Sequence, residues 1–234
     1  ANSGDAIDLE VGTSFSMSNI PITNFVSIAL QGGPNSILTC DGSDGGLKIS
    51  NSSVFLFQIE FTGCETALSI YSSSVMASNC TFRDHALTSG AFGAAVRSLD
   101  SHLSFLDSKF LNNHIVLSQN LFSLTRDQHN SADMIHSAMQ LSAGGAAVYA
   151  DSGSVVLQNC MFDQNSITVV AAGVGAGTVS VHGGAVLVAN APLTAIDCTF
   201  TANGLTSTFD TSSPGSSEVC GGAVAVLLTD PSAM

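Results

Sequence analysis

Positive charge is what this sequence has least of. Lys and Arg number 5 against 18 Asp and Glu, a formal net charge of −13. A surface that neutralises nucleic-acid phosphates or anionic headgroups needs clustered cations, so no nucleic-acid partner is expected. Trp is absent, and charged residues of either sign make up only 10%. That scarcity excludes coiled coils and helical bundles, which use Glu, Lys, Arg and Leu in quantity. It does not signal disorder, because 45% of the residues are apolar and disordered chains are poor in apolar side chains. The 6 Cys are too few to hold 234 residues by disulfides alone. No CxxC or His/Cys cluster spells a zinc site, so neither metal nor cofactor is expected. The longest uncharged run, between Asp163 and Asp197, is interrupted by Gly, Ser, Thr, Asn and Pro192. It reads as soluble sequence and not as a transmembrane segment.

What is present is a repeat. Val148, Ala150, Val155, Leu157, Cys160, Phe162 and Asn165 recur 38 residues later as Val186, Val188, Leu193, Ala195, Cys198, Phe200 and Asn203. The same offsets of 0, 2, 7, 9, 12, 14 and 17 recover Val96, Ser98, Leu103, Phe105, Ser108, Phe110 and Asn113. They also recover Leu68, Ile70, Val75, Ala77, Cys80, Phe82 and His85, and Leu47, Ile49, Val54, Leu56, Ile59, Phe61 and Cys64. Among these positions only His85, Ser98, Ser108, Asn113, Asn165 and Asn203 are not apolar. A sixth copy opens at Val224 and Val226. Before residue 47 the pattern loosens: Ile28, Leu30, Ile37 and Cys40 read as an earlier coil, with Ile20 and Ile22 in one before it.

Residues two apart share one side of an extended strand, so each copy holds three short strands separated by bends. The spacing predicts an all-β parallel solenoid of about seven or eight coils, stacked at about 4.8 Å. Equivalent side chains then form internal ladders. Phe61, Phe82, Phe110, Phe162 and Phe200 make one. Asn113, Asn165 and Asn203 make another, which would hydrogen-bond turn backbone hidden from water. His85 reads as a buried substitute in that row. The spacer between copies varies, yet every insertion falls at one vertex. Residues 114–143, 166–181 and 204–219 are therefore expected as long loops on one side, the usual place for recognition. The first insertion offers Ser131 as an N-cap for a short helix over Ala132 to Leu141. Ile115, Leu117, Phe122 and Leu124 match the first four offsets, but the match then fails and a loop is preferred. A start at Ala1 and a copy cut short after Val226 suggest one domain, 1–234, within a longer chain.

The runs Gly183-Gly184-Ala185-Val186 and Gly221-Gly222-Ala223-Val224 fit the pattern GGA[ILV]. Phe110-Leu111-Asn112-Asn113, Phe162-Asp163-Gln164-Asn165 and Phe200-Thr201-Ala202-Asn203 fit FxxN. This alternation resembles the passenger regions of chlamydial polymorphic outer membrane proteins, which are right-handed parallel β-helices and surface adhesins. A Cys two residues before the Phe, as at Cys160 and Cys198, is similar to repeats of secreted pectin-lyase-like proteins from algae and other protists. The resemblance covers about residues 45–228 and implies a right-handed helix. It departs at Phe82-Arg83-Asp84-His85, where the Asn is missing.

The pectin-lyase-like superfamily also includes polysaccharide enzymes, whose chemistry needs clustered carboxylates with a Lys or Arg. Here the outward position before each Cys or Ser reads Asn79, Asp107, Asn159, Asp197, with no paired Asp and no aligned cation. Those residues read as solvated bends. His114, His129 and His136 lack metal-ligand spacing, and His182 and Cys220 read as turn residues before Gly-Gly. Two cross-links are open: Cys40 with Cys64 near one edge of adjacent coils, and Cys160 with Cys198 side by side. Asn51 and Asn79 head N-glycosylation sequons. The first outward row, Lys48, Ser69, Arg97, Tyr149, Leu187, Ala225, turns apolar along the chain. Either the chain's own loops cover this row, or Tyr149, Leu187 and Ala225 offer a lateral partner surface. The expectation is a non-enzymatic, extracellular structural or adhesive module. Its partners would be protein subunits or further β-helix at the C-terminal edge, and glycans. A polysaccharide lyase or hydrolase is the alternative.

Overall fold

The computed structural model describes residues 4–40, 45–88, 92–120, 140–172, 178–209 and 216–227, and every regular element in them is a strand. All strand pairs are parallel, as a solenoid requires. Three rows of strands run along the stack. The third row is the simplest: Ser14–Met17, Ile37–Cys40, Glu60–Thr62, Thr81–Arg83, Lys109–Leu111, Met161–Asp163 and Thr199–Thr201, a 7-stranded sheet that counts seven coils. The other two rows join into one 12-stranded sheet, because Val96–Leu106 and Val148–Gln158 each run through both rows as one strand.

Register follows the repeat residue for residue. Leu47, Leu68, Val96, Val148, Val186 and Val224 lie opposite one another, as do the five Phe of the third row. Phe ring centroids are 4.7–4.9 Å apart with planes within 9° of parallel, so the stacking distance is set by the strand spacing. Phe105 meets Phe82 and Phe110 edge-on from the second row.

The bends have a shared chemistry. The turns between strands hold a residue with φ from +46° to +73°, supplied by Asn, Asp, Ser, Gln, Gly and once by Ala. Asn51, Ser72, Asp100, Ser152 and Asn190 form one such line; Gln58, Asn79, Asp107, Asn159 and Asp197 form a second; Gly63, Asp84, Asn112, Gln164 and Ala202 form a third. Asn and Asp visit this left-handed region at least cost among residues with a Cβ. Inside the first bend, Ser52, Ser73 and Ser101 build a ladder: the amides of Ser52 and Ser73 donate to the hydroxyl of the next coil, and each hydroxyl donates back to a carbonyl of its own coil. Gly153 continues the row with φ +91°, where a Cβ would overlap the Ser101 backbone.

The two loosely patterned coils resolve differently from expectation. Ile20 and Ile22 pair with Leu47 and Ile49, while Ile28 and Leu30 pair with Val54 and Leu56. They therefore belong to one coil. Leu38, and not Ile37, faces inward opposite Phe61. Extra residues at the Gly32-Gly33-Pro34 bend shift this coil off the common offsets.

The larger correction concerns the insertions, which are strands where loops were expected. His114–Asn120, Ser166–Ala172 and Gly204–Phe209 leave the coil and stack in register, joined by Ala86–Leu87 in a 4-stranded sheet. Gln140–Gly144, Thr178–His182 and Ser216–Cys220 return as a 3-stranded sheet. A second apolar core lies with them, made by Leu87, Ile115, Leu117, Ile167 and Val169 from the outgoing sheet and Ala143, Val179 and Val181 from the returning one. Strand alternation puts these residues on one face. Of the expected helix, Gln140 and Leu141 are in a strand; its remainder, with Phe122, Leu124, His129 and His136, lies outside the described residues.

Candidate functional site

The Asn row is a continuous hydrogen-bonded ladder. Asn165 Oδ1 accepts from the Asn113 amide at 3.2 Å and from Asn113 Nδ2 at 2.8 Å, while Asn165 Nδ2 donates to the Phe110 carbonyl at 3.0 Å. Asn203 repeats the set on Asn165 and Phe162. One coil earlier, the His85 amide donates to Asn113 Oδ1, and His85 Nδ1 accepts from the Cys64 amide at 3.1 Å. His85 thus fills the Asn position as a neutral, fully buried imidazole. Burial pushes it down from 6.5 to about 4. A base depressed on folding binds its proton first in the unfolded chain. The unfolding free energy therefore falls as pH drops from 6.5 towards 4, by about 3 kcal/mol over that window at 1.36 kcal/mol per unit. Urea midpoints at pH 7 and pH 5 measure this slope. His85→Asn, which restores the residue of later coils, is expected to flatten it.

The carboxylates of the described coils are engaged in bends and pairs. Asp84 accepts from Asn112 Nδ2 at 2.7 Å, which holds its carboxyl below the usual value against partial burial, with Arg83 adding to the effect. Arg83 also meets Glu60 at 2.6 Å. Asp107 accepts from Asn159 Nδ2 at 3.2 Å, and Asp151 from Asn190 Nδ2 at 3.1 Å. Beyond Asp84 the polar line continues: Asn112 Oδ1 meets His114 Nε2 at 2.7 Å, and His114 Nδ1 meets the Ser166 hydroxyl at 2.7 Å. These are the atom pairings of a nucleophile, a base and an orienting amide. The Ser166 amide, however, is spent on the Asn113 carbonyl and is not a donor to a developing oxyanion. Sequence reasoning missed this line because its members come from three coils, two from bends and two from the outgoing arm sheet.

A shallow groove of about 440 Å³ follows the first bend, lined by Phe25, Asn51, Ser72, Ser74, Asp100 and His102 among others. Asp100 is its one carboxylate, and no cation lines it. Asn51 and Asn79 are both exposed in left-handed bends.

Of the two expected cross-links, Cys40 and Cys64 form a disulfide across adjacent coils, with Cα atoms 4.8 Å apart. Cys160 and Cys198 are free thiols, correcting the second pairing. They sit at equivalent bends of neighbouring coils, and each turns Sγ to backbone carbonyls: Cys160 to Phe105 and Gln158, Cys198 to Ile196. Burial pushes the thiols of Cys80 and Cys160 up to about 11, so neither is an activated nucleophile. Of the two readings of the first outward row, cover by the chain itself is the one the structure favours. Leu187 is 2% exposed and Ala225 8%, and Leu187 packs on Gly144 beneath the returning sheet. Tyr149 is half-buried against Phe92, ring centroids 4.5 Å apart. The chain's own arms cover this row.

Parallel strands stacked in three rows about one apolar interior define a β-solenoid. The chain belongs to the right-handed β-helix family, which matches it as a right-handed beta helix region over residues 35–223. No curated protein matches the chain, and no solved structure does. No helix among the described residues is long and apolar enough to cross a membrane.

Proposed function

We propose that this β-helix is a non-catalytic extracellular or cell-surface module, a rigid scaffold whose arm-bearing side contacts proteins or glycans. The observation that carries the reading is how the acidic side chains are used. Asp84, Asp100, Asp107 and Asp197 occupy left-handed bend positions, and Asp84 and Asp107 accept an amide hydrogen bond from the next coil. They shape the turns of the stack. Glu60 and Asp84 converge on Arg83, yet no third carboxylate joins them among the described residues. A glycosidase would instead need two carboxylates flanking the scissile bond in one open groove. The Cys40–Cys64 disulfide supports an oxidising compartment. The GGA[ILV] and FxxN motifs, shared with surface adhesins, support the adhesive role.

The test is binding against turnover. The folded protein is offered a glycan array, then incubated with acidic and neutral polysaccharides while reducing ends and unsaturated products are followed. Binding without product release is the expected result. Product release that is lost in Glu60→Gln or Asp84→Asn overturns the reading in favour of a polysaccharide-active enzyme.

A further inference from the structure

The returning arm sheet gathers three side chains of metal-ligating type that the bends and ladders leave unused. His182 ends the strand Thr178–His182, and Cys220 ends the neighbouring strand Ser216–Cys220 directly opposite it in register. Glu218 lies two residues before Cys220 and therefore on the same face of that strand. A ring nitrogen of His182, Cys220 Sγ and a Glu218 carboxylate oxygen all lie within 4.8 Å of one another. Cys220 Sγ and Glu218 Oε1 are 3.6 Å apart. Ligands about 2.0–2.3 Å from a tetrahedral ion lie roughly 3.5 Å from each other, so this edge is already at coordination distance. Small rotations of the two exposed side chains close the rest.

A second observation points to a missing ligand. His182 is only 8% exposed, and its Nδ1 is buried without a hydrogen-bond partner. A buried, unpaired imidazole nitrogen is costly and calls for a physical explanation, an ion being one. We propose that His182, Glu218 and Cys220 bind a divalent transition metal of the zinc class. Mixed imidazole, thiolate and carboxylate donors select such borderline ions over Ca²⁺ or Mg²⁺, which take oxygen ligands. Three protein ligands leave at least one position to solvent, since Glu218 and Cys220 are exposed. The site joins the last two strands of the returning sheet, so the ion would clamp one arm to the next. Binding replaces the Cys220 thiol proton by a metal–sulfur bond and releases that proton to solvent.

Cobalt is the probe, because a thiolate ligand gives Co²⁺ an intense near-ultraviolet charge-transfer band. The full chain, with its disulfide intact, is titrated with Co²⁺ and then with Zn²⁺ in competition. The expected result is a single equivalent bound, with a charge-transfer band that Zn²⁺ abolishes. Cys220→Ser should remove the band. Glu218→Gln should weaken binding by at least the roughly 10–100-fold that losing a mere outer-shell partner costs. Cys198→Ser, which removes another accessible free thiol, should change neither. Both ligand substitutions fall on exposed side chains, and circular dichroism verifies that the sheets persist. Absence of stoichiometric binding overturns the proposal. So does binding that survives Cys220→Ser and Glu218→Gln unchanged, or that is lost in Cys198→Ser instead.

Discussion

Replacing Asn165 with Leu should cost several kcal/mol of stability while keeping the number of side-chain heavy atoms. The loss comes from what the side chain leaves behind. The Asn113 amide and the Phe110 carbonyl both lose their Asn165 partner, and Asn113 Nδ2 keeps only its bond to the Phe82 carbonyl; all belong to buried residues. Each orphaned buried group costs about 1–3 kcal/mol, because water cannot reach it. Leu gains some apolar burial in return, but that does not re-pair the polar atoms left behind. Urea denaturation checks the value, with Thr194→Leu as control: Thr194 is exposed on the regular strand Leu193–Ile196. A loss at Asn165 no larger than at Thr194 would show that the ladder is ornamental.

Phe110→Ala should be comparably severe, at about 3–5 kcal/mol for a buried aromatic truncated in a core that collapses only partly. Phe110 is fully buried, stacked between Phe82 at 4.9 Å and Phe162 at 4.7 Å, with Phe105 edge-on at 5.1 Å. Neighbouring rings are held on fixed strands at the strand spacing, so they cannot slide into the void. Phe110→Leu should cost distinctly less, since it keeps most of the buried carbon. Equal losses for Ala and Leu, read by the same denaturation curves, would mean that ring stacking and not cavity volume sets the energy.

Both effects were legible in the sequence, because a stacked coil forces equivalent residues into one environment. Five Phe at one offset, and three Asn at another, leave little freedom of interpretation once the period is found. The arms were harder. Their strands pair with one another, so the informative comparison is between insertions of unequal length. Ile115, Ile167 and Leu205 each stand two residues after the Asn position, a regularity that a template ending at Asn cuts off. Leu187 and Ala225, outward in the template, are buried all the same. The coil of Ile20 to Cys40 escaped the template for another reason: the added bend residues between Leu30 and Leu38 break the common spacing. His182 and Cys220 were visible as aligned positions before Gly-Gly. Glu218 was not singled out, since only the pairing of returning strands brings it to them.

The Asn ladder also has a direction. Asn165 reaches back with both side-chain atoms to the coil before it, and Asn203 does the same to the coil of Asn165. Each coil thus carries hooks for its predecessor and offers sockets to its successor. A chain made from its N-terminal end presents finished sockets to every coil that follows. Growth of the stack is in this sense vectorial, each turn being the template for the next.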